Sequence, residues 1–319
     1  MFGVITLVFV LFNILPGDPA RMMLGQRADE KSIEIIHKEL GLDKPLHQQY
    51  FKYLNDLSPI GVKENGDIGF KAPYLRRSYQ SNKPVADILK EAFPNTIYLA
   101  LLSIAIAFVV GVSLGALSAV YKDSILEKVV LVVTSLGMSL PSFFAAILIA
   151  WIFAFLLADY TGLSMFGSLY SVDDFGEGEY LSLKNIILPA VTLGIRPLAV
   201  ITELTKSTMK EVLEQDYIRT ARAKGLSKFK VIYSHALRNT LNPIVSSISG
   251  WFASLIAGAV FVEYIFDWKG VGVVIVDSLE KYDFPVLMGA LIVICVILIL
   301  INILTDIIYA LLDPRVRMK

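Results

Sequence analysis

Charge is what this chain has least of. Asp, Glu, Lys and Arg make up 18% of its 319 residues and hydrophobic residues 55%, whereas a soluble domain carries about a quarter charged residues. That composition argues against an ordinary soluble globular protein. The 29 basic and 29 acidic residues cancel to a net charge of zero, so there is no positive field for a phosphate backbone and nucleic acid is excluded as a partner. Cysteine occurs once, at Cys295, which rules out an internal disulfide. The three histidines, His37, His47 and His235, have no metal-ligand spacing, so a zinc site drops out as well. There is no H-E-x-x-H or G-x-S-x-G signature, and no histidine falls in an apolar run. A phosphate-binding G-x-x-x-x-G-K-[ST] is also missing, because Lys31-Ser32 and Lys206-Ser207 follow Glu30 and Thr205 where Gly is required. No catalytic residue, metal or cofactor is expected.

What the chain does have is long stretches without charge. Residues 95–120, 129–158, 239–262 and 286–305 contain no Asp, Glu, Lys or Arg. About 20 apolar residues at roughly 1.5 Å each suffice for a hydrocarbon core of about 30 Å, so each window predicts a membrane span. A fifth span is expected over 185–204 and a sixth over 1–15. The sixth is short for a span and lacks the basic start and small-residue cleavage site of a signal peptide, so the true start is expected upstream. Pro16-Gly17-Asp18-Pro19 ends it with turn chemistry. The pattern predicts an all-α polytopic membrane protein with six transmembrane helices.

Orientation follows the basic residues of the short loops. Lys122, Lys128, the eight Lys and Arg of 206–238, and Arg315, Arg317 and Lys319 make thirteen on one side, against Lys184, Lys269 and Lys281 on the other. The richer side is expected to be cytoplasmic, which puts both termini there. Segment 16–94 then forms an extracytoplasmic lobe, with Ile33, Ile36 and Leu40 at helical spacing and Gly41 as a stop. The acidic loops 159–184 and 263–285 lie on the same outer side.

The cytoplasmic loop 205–238 is charged yet periodic. Val212, Leu213, Ile218 and Ala221 share a face, and Leu226, Phe229, Ile232, Tyr233 and Leu237 follow Gly225, which predicts two amphipathic helices broken at a glycine. On pattern alone this is equally a solvated connector. The run Gln215-Asp216-Tyr217-Ile218-Arg219-Thr220-Ala221-Arg222-Ala223-Lys224-Gly225-Leu226-Ser227, with His235-Ala236-Leu237-Arg238-Asn239 and Pro243, resembles the cytoplasmic loop of binding-protein-dependent ABC transporter permeases of the dipeptide/oligopeptide class. The wider family has Glu-Ala-Ala where this chain has Arg219-Thr220-Ala221, a departure resembling the peptide-class variant. Gly41-Leu42-Asp43-Lys44-Pro45-Leu46, Leu188-Pro189-Ala190 and Tyr309-Ala310-Leu311-Leu312-Asp313-Pro314-Arg315 resemble the same class, so the likeness spans the whole chain.

The resemblance implies an ABC importer permease fold in a bacterial or archaeal inner membrane. It also implies a second homologous permease subunit, two ABC ATPase subunits, an extracytoplasmic solute-binding protein and membrane lipid as partners, with peptides, glutathione or nickel complexes as the solutes of the class. It divides the chain into a first helix 1–15, a lobe 16–94, a five-helix core 95–311 carrying the loop, and a cytoplasmic tail 312–319. Residues Tyr217, Arg219, Thr220, Ala221, Arg222, Ala223, Lys224, Gly225 and Leu226 would then meet the ATPase. Arg196 near mid-span needs an acidic partner, with Glu203 and Asp306 as candidates, or meets an acidic group of the solute. Ser139 is a candidate lining residue or interhelical contact. The competing reading is a stand-alone secondary transporter or channel. Such a protein should carry an intramembrane relay or ring of acids, whereas Glu203 and Asp306 both fall near cytoplasmic ends.

Overall fold

The structure, a computed structural model, describes residues 2–14, 42–62, 67–172 and 179–312 and positions 30, 33, 34, 37 and 38. The turn at 16–19, the tail 313–319 and most of the helix expected over Ile33, Ile36 and Leu40 lie outside the described residues. The chain divides into two compact units, Met1–Pro94 with Gly270–Ile297, and Asn95–Lys269 with Leu298–Lys319.

In the first unit, the apolar helix α1 (Phe2–Ile14) is 13 residues long. Helix α2 (Leu46–Leu57) starts after Pro45, whose fixed φ and missing N–H suit a helix entrance. A hairpin of β1 (Ile60–Val62) and β2 (Ile68–Phe70) pairs Gly61 with Gly69. Asn55 pins the hairpin to α2, its Oδ1 accepting from the Val62 N–H at 2.8 Å and its Nδ2 donating to the Val62 carbonyl at 3.1 Å. Val8, Phe9, Tyr53, Met288 and Ile292 form the core, with the Phe9 and Tyr50 rings 5.0 Å apart. Buried Asp283 accepts from the Ser78 hydroxyl at 2.5 Å and the Tyr79 N–H at 3.0 Å, closing the unit between segments distant in sequence.

The second unit begins within α3 (Val85–Val120). Helix α4 (Ile125–Ser139) follows, then α5 (Ser142–Ile149), which continues as a π-helical stretch over Ala150–Leu156. A short hairpin pairs β3 (Tyr170–Val172) with β4 (Glu179–Leu181). Next come α6 (Ile187–Leu213), α7 (Asp216–Ala223) and α8 (Arg238–Ile265). Helix α9 (Val271–Glu280) and α10 (Phe284–Leu312) as far as Ile297 belong to the first unit, and the rest of α10 to the second. The stretch 263–285, expected as a loop, therefore contains a 10-residue helix; its interior is Val, Ile and Leu, with Asp277 and Glu280 only near the end.

Three described helices, Val85–Val120, Ile187–Leu213 and Phe284–Thr305, are long and apolar enough to cross a membrane, and two bent pairs raise that to five if each pair is one span. The span over 129–158 is interrupted at Pro141, as that residue's chemistry predicts, and the break is sharp: α4 and α5 meet at 117°. The cause is local, since the ring of Pro141 disfavours helical backbone in the residue before it, and Leu140 is extended at φ −73°, ψ 131°. Pro189 does not interrupt a span, because it lies in the first turn of α6, where its absent N–H has no helical partner to lose. Pro197 and Pro243 lie inside continuous helices.

Three buried hydroxyls of these helices are satisfied within the helix itself: Ser103 donates to Leu99 O, Thr192 to Leu188 O and Thr205 to Ile201 O, at 2.6–2.8 Å. That is what a polar side chain needs where water is absent. The outward face of α4 leaves Ile125, Val129, Val132 and Val133 exposed, an apolar surface suited to lipid or another protein rather than to water.

Helix α6 is the hub, buried along Leu188, Pro189, Ala190, Thr192, Leu193, Gly194, Pro197 and Ile201. Two glycines of α3 and one of α6 allow backbone-to-backbone approach. A Cβ at Gly115 would stand 2.5 Å from the Thr202 carbonyl oxygen, and one at Gly194 2.9 Å from the Ser103 carbonyl oxygen. Gly115→Val is therefore expected to lower stability by about 1–3 kcal/mol through overpacking, read as a lower melting temperature in detergent. Gly250→Ala, with no atom within 4 Å of the new Cβ, should be neutral. Equal behaviour of the two variants would remove the close contact from the account.

Candidate coupling loop and intramembrane cleft

Helix α6 ends at Leu213, the chain turns at Glu214 and Gln215, and α7 runs eight residues to Ala223. The amphipathic stretch is thus broken twice, at 214–215 as well as at the glycine. Ile218 and Ala221 of α7 are buried with Ala119 at the end of α3, Met209 of α6, and Val231 and Ala236. Leu226, Val212 and Leu213 pack around that cluster. The apolar face read from the sequence is the face that seats the loop.

Gly225 closes α7. It lies at φ +78°, a left-handed conformation that favours glycine. Its N–H donates to the Arg222 carbonyl at 3.0 Å, and the Leu226 N–H reaches the Ala221 carbonyl at 3.4 Å. This is the paired closure of a Schellman cap, completed by the apolar contact of Leu226 with the cluster that holds Ala221. Ser227 restarts the helix as an N-cap, its hydroxyl accepting from the Lys230 N–H, and a π-helical turn over Val231–Leu237 carries the chain into α8.

The rest of the loop faces outward. Tyr217 is half-exposed and its hydroxyl accepts from Asn239 Nδ2 at 2.9 Å. Arg219 pairs with Asp216 at 3.3 Å in the open, and the Thr220 hydroxyl donates to the Asp216 carbonyl at 3.0 Å. Arg222, Ala223 and Lys224 are exposed. A cavity of about 500 Å³ opens beside them, lined by Val120, Leu213, Arg222, Leu226, Lys228, Val231 and Ile232. The exposed rings of Phe229 and Tyr233 stack 5.9 Å apart next to it.

The intramembrane candidates are not gathered into one constellation. Ser139 is exposed at the end of α4 and donates to the Ser135 carbonyl at 2.8 Å. Glu203 is exposed on α6 and forms no ion pair with Arg196 among the described residues, while the Asp306 side chain lies outside the described residues. Arg196 opens instead into a cleft with Ser142, Thr192, Trp251 and Ser254.

One ionic site escaped the sequence reading. Glu127 Oε1 accepts from Lys210 at 2.8 Å and lies 3.2 Å from Lys206, while its Oε2 accepts from the Asp123 N–H at 2.6 Å. It clamps the turn before α4 onto the end of α6. Its signal was present as Ser124 three residues before Glu127, the spacing of a capping box, and the Ser124 hydroxyl does accept from the Glu127 N–H. Glu263, in the stretch expected as loop, is instead buried near the end of α8.

Comparison with known proteins agrees with this geometry. The fold resembles a solved structure of the MetNI methionine ABC transporter, with a TM-score of 0.56 at 16% identity, covering 72% of this chain and 97% of that one. It is the fold of an ABC importer permease. The family model described as binding-protein-dependent transport system inner membrane component matches residues 111–318, and the model of the family's N-terminal part matches residues 1–100. The di/tripeptide transport system permease protein DppB of Pseudomonas aeruginosa is 35% identical, over 99% of this chain and 94% of that protein. The glutathione transport system permease protein GsiC of Escherichia coli is 34% identical, over 100% of this chain and 95% of that protein. The chain belongs to the family of inner membrane components of binding-protein-dependent transport systems. It is a multi-pass permease subunit of an ABC importer; ATP hydrolysis resides on a separate subunit, and a solute-binding protein works with it. Nothing supports a stand-alone transporter or channel.

Glu127→Gln should weaken both lysine contacts and lower the melting temperature of the permease in detergent, with Glu127→Asp losing less. An unchanged melting temperature would show that the clamp contributes nothing to stability.

Proposed function

We propose that this chain pairs with a second homologous permease and two ATPase subunits to import peptides or a related small solute across a bacterial or archaeal inner membrane. The relatives named for dipeptide and glutathione transport support that solute class. In this reading the chain spans the membrane six times with both termini cytoplasmic, residues 16–94 form an outer lobe, 95–311 the transmembrane core and 312–319 the tail, and lipid covers the apolar outer faces.

The 217–226 loop is the mechanical handle that the ATPase moves. The observation that carries this is the seating of α7: its buried residues pack on the ends of two long apolar helices, α3 and α6, while Tyr217, Arg219, Thr220, Arg222, Ala223 and Lys224 face outward. A push on the outer face of such an element passes through Ile218 and Ala221 into both helices. The chain holds no nucleotide motif of its own, so the force must come from another subunit.

Gly225 separates this role from that of a connector. Open space surrounds its Cβ position, so a substitution there meets strain and whatever docks from outside. A side chain forced into the left-handed region costs about 1–2 kcal/mol, roughly tenfold in an equilibrium. Gly225→Leu and Arg222→Glu should leave membrane insertion intact and reduce solute uptake about tenfold or more. Gly225→Asn, whose side chain tolerates this conformation, should retain more uptake than Gly225→Leu. Parental uptake and ATPase affinity in Gly225→Leu would return the segment to a solvated connector.

Topology is checked by single cysteines at Lys122, Leu183 and Lys228 in a Cys295→Ala background. The first and third should be labelled from the cytoplasm and the second from outside. If positions 122 and 183 label from the same face, the bent α4–α5 pair is re-entrant and the six-span reading fails.

A further inference from the structure

We infer that Arg196 and the cleft around it form a carboxylate-recognition point on the solute path. The inference rests on the peptide-import reading above, which supplies a solute that carries a carboxylate. Arg196 lies nine residues past Ile187, the first residue of α6, which at about 1.5 Å per residue places it roughly 14 Å along a span of about 30 Å, near mid-depth. A guanidinium stays protonated at any physiological pH, so at that depth it requires a counter-charge or a water-filled cavity. Among the described residues no carboxylate provides the counter-charge. Arg196 is exposed on the isolated chain and borders an open cleft, which gives its guanidinium room for water or an anion.

Three helical elements build it. The break at Leu140 and Pro141 brings Ser142 to its wall, α6 contributes Thr192 and Arg196, and α8 contributes Trp251 and Ser254. Its volume of about 80 Å³ suits a carboxylate with accompanying water rather than a whole peptide. The site therefore meets the end of a passing solute and does not enclose it. Arg196 offers the fork of donors that matches a carboxylate bidentately, Ser254 adds a hydroxyl, and Trp251 forms a flat apolar wall. At mid-depth a lipid headgroup is out of reach, which leaves the solute or a carboxylate of the neighbouring permease as the anion; the observations here favour the solute, since Arg196 opens into a cavity.

The test uses the complete transporter, with both permeases, the ATPase subunits and the binding protein, reconstituted in proteoliposomes. Uptake of a radiolabelled dipeptide and of glutathione is measured alongside ATPase activity stimulated by loaded binding protein, and assembly is followed by co-purification. For Arg196→Ala the expected result is uptake reduced about tenfold or more, with stimulated ATPase activity within about twofold of the parent and assembly intact; Arg196→Lys, which keeps the charge but loses the bidentate fork, should recover uptake only in part. Parental uptake in Arg196→Ala overturns the assignment. So does a parallel loss of ATPase activity, which marks a coupling role, and so does loss of the second permease on purification, which marks an intersubunit ion pair. If the parental complex imports neither solute, the peptide reading falls and takes this assignment with it; if only the variant results fail, the peptide reading stands.

Discussion

The close packing of α6 against its neighbours is the constraint from which the rest of the second unit follows. In a bilayer the hydrophobic effect does not press helices together, so contact must come from shape. Gly111, Gly115 and Gly194 let α3 and α6 approach until a methyl group would collide with backbone oxygen, and Gly137 lets α4 approach the Ile195 side chain of α6. Once α6 is held on those sides, its C-terminal end has a fixed position. The segment that continues from it, 214–226, inherits that position through Met209, Ile218 and Ala221. A handle on a loosely packed helix would dissipate an applied force. In the proposed coupling role, α7 is attached to α6, which carries buried residues from Leu188 to Met209.

The loop itself is rigid for reasons that are all local. A Schellman cap ends α7, Ser227 caps the next turn, and Asn239 reaches back to the Tyr217 hydroxyl. Each device satisfies backbone or side-chain groups that would otherwise seek water. A segment with its ends satisfied and its apolar face seated moves as a body. The outward residues Arg219, Arg222 and Lys224 then present charge on a firm support.

The long apolar runs were legible because a bilayer imposes a length and a composition, and both are written in consecutive residues. The corner at Gly225 was legible for a similar reason, since positive φ favours one residue type and a glycine between two periodic stretches marks it. The 117° bend was only half legible: Pro141 announced an interruption, but the angle depends on the extended Leu140 and on what receives α5. The helix Val271–Glu280 was concealed by its place between polar turns and by the expectation of an outer loop. Contacts that join distant segments left no local trace. Asn95 donates to the Lys269 carbonyl and receives the Trp268 indole N–H on its own carbonyl, across more than 170 residues. Glu127 meets Lys210 across 83. Such pairs are specified by packing, and no periodicity in either segment encodes them.

The cations of α6 restrict how that helix can move. Lys206 and Lys210 are held by Glu127, which marks one level along the helix axis. Arg196 lies ten residues earlier, about 15 Å up the axis at 1.5 Å per residue, in a cleft of its own. Sliding α6 by one turn of about 5.4 Å would withdraw both lysines from Glu127 and carry Arg196 out of the only polar surroundings described for it, between Ser142 and Ser254. Translation along the axis therefore breaks two sites at once. Tilt about the glycine contacts with α3 keeps the cations near their levels, whereas rotation about the axis would also swing both lysines away from Glu127. In the proposed coupling role, a load on α7, whose buried face is packed on the ends of α3 and α6, acts off the α6 axis and so favours tilt over sliding.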